Sequence, residues 1–224
     1  MMGKATLRNV ALPFALAVVL IVPTSSRGQT LASRDDIINQ LNRFEGAPAL
    51  DVTALRQRVL DKSRSRSKNE PEPSKRPPIV PEILNLPSFT VSIDFDTDTP
   101  VVRPSSYEMV GRIADAMVHA SLLPYNFLIV GHSDATGRRE ANAMLSQRRA
   151  DAIRDVLVNT FKISSKRVSS LGVGEEQFID TAHPTSKDNL QIQILTIAKQ
   201  PEQSEQAEQP AAKASPSPAK KKKR

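Results

Sequence analysis

Residues 131–158 read GHSDATGRREANAMLSQRRADAIRDVLV, and this stretch decides the fold. The run just before it, Phe127 to Val130, is continuously apolar, as expected of a strand buried on both faces. Gly131 to Gly137 is then a polar turn, and a long helix follows. On a helical wheel Leu145, Ala152, Ile153, Val156 and Leu157 form one apolar stripe. Arg149 falls near the centre of that stripe, and Arg148 falls toward its edge. A guanidinium facing a core needs a partner or a purpose, because an unpaired buried charge costs several kcal/mol.

Asp134 is the candidate partner. It sits just past the carboxyl end of the central strand, where an open sheet forms a crevice, and the link Ala135-Thr136-Gly137 keeps it near the first turns of the helix. Two readings of the pair stay open from spacing alone. In one, Asp134 and Arg149 form an internal salt bridge that orients the helix on the sheet. In the other, each faces a zwitterionic ligand, Asp134 taking an ammonium and Arg149 gripping a carboxylate through its planar fork.

The elements around this stretch complete an α/β domain from Leu86 to Lys199. FTVSIDF (89–95) alternates as a strand with one buried face. DTDTPVVRP (96–104) is a loop. Ser105 and Glu108 have the spacing of a capping box ahead of an amphipathic helix carrying Val110, Ile113, Ala114, Met117 and Val118. Short strands are expected at Arg167 to Leu171 and at Leu190 to Ile194. The order β-α-β-α-β-β implies a mixed sheet with helices packed on one face.

The flanks read differently. Residues 1–28 have a basic start (Lys4, Arg8), an apolar run from Val10 to Val22 and small residues before Gln29, the pattern of a cleavable secretory signal. An uncleaved membrane anchor is the alternative. Residues 29–85 are expected to be a Pro- and charge-rich tether with two short helices, Asp35 to Phe44 and Asp51 to Lys62, and an extended, disordered stretch from Ser63 to Pro78. The two helices either dock on the domain or belong to the tether, and the tether is the simpler reading. Residues 200–224 form a low-complexity tail ending KKKKR. Its 224 residues are enough for one ordinary domain plus extras, and with 17 prolines and 39% hydrophobic residues parts of the chain are not expected to be globular. It has no cysteine, so its stability rests on the core without disulfides. The tether or the basic tail could engage an envelope protein or an anionic membrane surface. An exported chain is not expected to bind nucleic acid.

Other chemistries find little support. His132, His183 and Glu140 lack the spacing of a zinc motif. No serine sits in a nucleophile elbow. No metal, cofactor or catalytic group is therefore expected, and His132 and Ser146 are read as hydrogen-bonding residues.

The combination of GHSD (131–134), Gly137, Asn142, Leu145-Ser146, Arg148-Arg149-Ala150 and GVGE (172–175), with IDFDTDTPVVRP upstream, resembles the OmpA-like peptidoglycan-binding domain family over about Leu86 to Thr196. That family includes the wall-binding domains of peptidoglycan-associated lipoproteins and flagellar stator proteins. The resemblance implies a periplasmic, noncovalent binder of Gram-negative peptidoglycan, associated with the cell wall or outer membrane. Its implied ligand is the diaminopimelate side chain of the stem peptide, which bears an amino and a carboxyl group on one distal carbon. By the same resemblance Asp134 and Arg149 clamp that group, Asn142 assists, and Phe95, Asp96 and Thr97 line the pocket, mainly through backbone groups. The chain departs from the family where an Asn-Arg-Arg run usually leads the last strand: here it reads Asn189-Leu190-Gln191. Ala141 replaces a frequent aromatic residue. These departures leave a second reading, an envelope scaffold whose domain has lost wall binding.

Overall fold

The computed structural model describes residues 32–65 and 70–200. The expected signal segment and basic tail lie outside these residues. The described part contains four α-helices, α1 (Arg34–Leu41), α2 (Val52–Arg64), α3 (Tyr107–Met117) and α4 (Arg139–Asp155), and four strands, β1 (Ser88–Val91), β2 (Tyr125–His132), β3 (Val168–Gly174) and β4 (Ile192–Lys199). From β1 onward the order is β-α-β-α-β-β, as the periodicities predict. The strands form one mixed sheet ordered β1-β4-β2-β3. β2 and β3 are parallel, whereas β4 runs antiparallel to both β1 and β2. β2 is therefore an interior strand, consistent with its unbroken apolar run, and Phe127, Leu128, Ile129 and Val130 are fully buried.

Alternation along the strands divides the core in two. Phe127, Ile129, Val168, Ile192 and Ile194 face α3, the C-terminal half of α4, and α1. Leu128, Val130, Leu171, Val173 and Leu195 face the other way. Leu55 and Val59 of α2, together with Val80 and Ile83, cover this second face. The helices between the strands thus occupy one face as expected, and the N-terminal segment supplies the other layer.

Here the structure departs from the tether reading of residues 29–85. Ile37 and Leu41 of α1 are fully buried, and Thr196 Oγ1 of β4 donates to the Leu41 carbonyl at 2.7 Å. The stretch expected to be extended is also engaged where it is described: Arg76 pairs with Glu175 at 3.1 Å, and Val80 is fully buried. The physical reason is that a half-covered sheet presents apolar surface on both sides. Short amphipathic helices too weak to fold alone become stable against it.

Two local expectations also change. Ser105 and Glu108 form no capping box. A 3-10 turn over Pro104–Ser106 leads into α3, the Ser105 hydroxyl donates to the Asp94 carboxylate, and the Ser106 hydroxyl accepts the Asp94 N–H. The first strand is shorter than its alternation suggests: pairing stops at Val91, and only an isolated bridge between Phe95 and Val102 continues it.

Helix α4 lies unusually close to the sheet. A Cβ on Gly172 would stand 2.1 Å from the Gln147 nitrogen, inside the helix backbone. Gly174 has a positive φ of 57°, and a Cβ there would press on Ala143. The GVG sequence is therefore a contact surface for a helix as well as a strand. Ser146 completes the seam, its hydroxyl donating to the Ala143 carbonyl and accepting the Gly174 N–H, each at 2.9 Å.

Candidate functional site

A cavity of about 430 Å³ opens where β2 ends, walled by the turn after β2, the 93–103 loop and the side of α4. Asp134 and Arg149 both line it. They reach it by different routes. Asp134 follows the last residues of β2, whose backbone is held by His132 N donating to Gln191 O at 3.0 Å and Ser133 N donating to Gly174 O at 3.0 Å. Arg149 projects from α4 fifteen residues later, from the stripe position that the wheel assigns to a core residue.

The two side chains are not locked together. Among the described residues, no carboxylate oxygen comes within 4.0 Å of the Arg149 guanidinium. Arg149 instead donates Nε–H to the Thr99 carbonyl at 3.2 Å and lies over the Phe95 ring, 5.0 Å from its centroid. Removal from water pushes the guanidinium below its ordinary pKa, and the negative charges of Asp98 and Asp134 partly offset that. Asp134 is 7% exposed, and its Oδ1 accepts the Thr136 N–H at 3.0 Å and the Thr136 hydroxyl at 2.5 Å. Among the described residues, the second carboxylate oxygen has no hydrogen-bond partner. The internal salt bridge is therefore not formed. The site holds a carboxylate and a guanidinium, fixed from behind by neutral groups, facing shared space.

The remaining sequence candidates divide. Phe95 and Thr97 line the cavity. Asp96 does not: its carboxylate pairs with Arg103 at 3.0 Å on the exposed side of the loop, and its backbone bonds with Val101 and Thr99 shape the turn. Asn142 lines the cavity, but its amide hydrogens are committed. Nδ2 donates to the Asp134 carbonyl at 3.2 Å and to Glu175 Oε2 at 2.7 Å. Asn142 thus positions the Asp134 backbone. Leu190 and Gln191, standing where the family pattern has two arginines, both line the cavity, and Lys187 places an ammonium-bearing side chain on the same wall.

Residues that the sequence reading missed also appear. Asp98 lines the cavity with a positive φ of 56°, a conformation Asp tolerates better than most residues. Glu175 and Glu176 are 6% and 4% exposed and are held by two cations, Arg76 and Arg139. Arg139 binds Glu176 through Nε and through NH2, and it reaches Glu70 at 2.6 Å. These hydrogen bonds, Glu176 first, raise the Arg139 pKa. Arg76 binds Glu175. This cluster buttresses the first turn of α4 and, through Asn142, the turn that carries Asp134.

His132 is fully committed to the fold. Its Nδ1 lies 2.8 Å from the Gln177 carbonyl and its Nε2 lies 3.3 Å from the Gln193 side-chain amide. Burial lowers its pKa, and the two hydrogen bonds oppose that shift. The ring is a neutral strut at the back of the cavity. No helix among the described residues is long and apolar enough to cross a membrane.

Part of the chain is similar to known proteins. Residues 94–191 match the model of the OmpA family. The chain is similar to outer membrane porin F of Pseudomonas aeruginosa, 34% identical over 100 residues that make up 45% of this chain and 27% of the porin. It is also similar to the peptidoglycan-associated lipoprotein of Mesorhizobium japonicum, 34% identical over 93 residues, or 40% of this chain and 54% of the lipoprotein. The match thus spans about a quarter of the porin and about half of the lipoprotein. Among solved structures, the cell wall anchor of the T6SS from Pseudomonas aeruginosa superposes with a TM-score of 0.42 at 24% identity, covering 50% of this chain and 81% of that one.

Proposed function

We propose that this protein binds peptidoglycan noncovalently through the cavity at the end of β2, and so anchors or scaffolds the cell envelope from the periplasm. The ligand is the diaminopimelate side chain of a stem peptide. The observation that carries the reading is the unpaired arrangement of Asp134 and Arg149 on the walls of one cavity. A group with an ammonium and a carboxylate on one carbon satisfies both at once. Neither side chain then has to leave the hydrogen bonds that orient it. Preorganisation of this kind improves affinity by reducing what must be ordered on binding. The names of the relatives support the same setting, since one is called a peptidoglycan-associated lipoprotein.

The test is cosedimentation with purified sacculi, together with calorimetry on a diaminopimelate stem peptide. A lysine-type peptide is the control, because it lacks the distal carboxylate and leaves Arg149 without an anion. Asp134→Asn keeps an oxygen for the Thr136 bonds and removes the charge. A hydrogen bond to a charged group is worth about 1.5–3 kcal/mol, so this variant should bind roughly 10- to 100-fold more weakly with an unchanged melting temperature. Equal binding of both peptides, or no binding of either, would instead favour the scaffold reading, for which Leu190 and Gln191 in the cavity wall are the supporting feature.

A further inference from the structure

A second groove, of about 590 Å³, runs along the outer side of α4 near its N-terminus. It shares Asp98, Thr136, Asn142 and Leu145 with the first cavity, so the two spaces meet along one wall. Its floor is apolar: Ala141 and Met144 are exposed, Met144 at 38%, and Leu145 is half-buried. At its edges stand Arg138 and Arg148. Both are exposed, and among the described residues neither side chain has a hydrogen bond or ion-pair partner. The groove's own Glu140 is already paired with Arg64 at 2.8 Å.

These observations fit an occupant that continues from the first cavity, lays small apolar groups on the α4 surface and presents acid groups to the two guanidiniums. We propose that this groove is a subsite for the peptide flanking the anchored zwitterion, and that Arg138 and Arg148 recognise carboxylates of that peptide outside the clamped group. The inference rests on the reading that the first cavity takes the diaminopimelate end. A molecule held there by one end must leave through an open side, and the shared wall leads into this groove. The chain therefore selects for the acidity of the whole peptide as well as for its anchoring residue.

Calorimetry on the full chain tests this with three probes: free diaminopimelate, a stem peptide with free carboxylates, and the same peptide amidated at every carboxylate outside the diaminopimelate distal centre. The acid peptide should bind about five- to tenfold more tightly than the amidated one, in the range expected of two exposed ion pairs, and the difference should shrink at high salt. An R138Q/R148Q double variant should abolish that difference and leave the affinity for free diaminopimelate unchanged. Arg148→Glu should make the amidated peptide the better ligand. If free diaminopimelate binds but acid and amidated peptides bind alike, or if the difference survives in the double variant, the subsite is wrong and the first cavity stands. If free diaminopimelate fails to bind at all, the anchoring reading falls and this inference with it.

Discussion

Arg149→Met separates a ligand-binding arginine from a structural one. The substitution keeps a long side chain over Phe95 and deletes the charge. On the folding side, it removes one hydrogen bond to the Thr99 carbonyl, worth about 1 kcal/mol net, and a cation–π contact worth about 0.5–1 kcal/mol. Against this stand the contacts of a methionine sulfur with the same ring, about 0.3–1.5 kcal/mol. Relief from desolvating a guanidinium that has no carboxylate within ion-pair distance adds to these gains. Folding stability should therefore move by no more than about 1.5 kcal/mol. On the binding side, the variant loses a two-pronged charged contact. Two such bonds at about 1.5 kcal/mol each give about 3 kcal/mol, or more than 100-fold in affinity. Arg149→Lys keeps the charge without the fork and should fall between, near tenfold. Urea denaturation reads the first quantity, and calorimetry with a diaminopimelate peptide reads the second. A stability loss of about 3–5 kcal/mol, the cost of breaking a buried ion pair, would refute the reasoning. So would undiminished binding in a folded variant.

Two further outcomes follow from the packing. Leu41→Ala, at a fully buried position of α1, should cost about 2–5 kcal/mol in urea denaturation; a helix that merely belonged to a flexible tether would show less than about 0.5 kcal/mol. His132 should make the protein less stable in mild acid. Burial lowers its folded-state pKa, so below the ordinary imidazole value of about 6.5 the unfolded chain takes up a proton that the folded one refuses, and stability falls as pH falls. Between pH 7.5 and pH 5.5 this contributes a loss of about 1 kcal/mol, and His132→Gln should flatten that part of the profile; an unchanged slope in the variant would show that other groups cause it.

The sheet and its two crossover helices were legible because their signals are local. Period-two alternation marked β1 and β4, the unbroken run 127–130 marked the interior strand, and the 3.6 period marked α3 and α4. That Asp134 and Arg149 share one cavity was legible for a related reason: Arg149 breaks a strong local pattern, and a break of that kind stands out on a wheel. What failed to show depended on distant partners. Asp96 and Asp98 are both loop aspartates in DTDTP, and only the turn geometry sends one outward to Arg103 and the other into the cavity. Asn142 lines the cavity, but its amide hydrogens are taken by Glu175, thirty-three residues away, and by the Asp134 carbonyl. Ser105 and Glu108 matched a capping pattern that the tertiary demand of Asp94 overrode.

The segment read as a tether carries the largest consequence for the site. The family match begins at residue 94, yet two supports of the cavity come from residues before it. Arg76 and Glu70 belong to the cluster that holds Glu175, Glu176 and Arg139. Glu175 in turn fixes Asn142, which holds the carbonyl of Asp134. Without residues 70–83, Glu175 would lose its cation while remaining nearly enclosed, a costly state for a carboxylate. Leu128, Val130, Leu171 and Leu195 would lose the cover of Leu55, Val59, Val80 and Ile83. The same stretch of chain therefore closes the second face of the sheet and steadies the turn that presents Asp134, so that the packed domain extends well ahead of the segment that the family model matches.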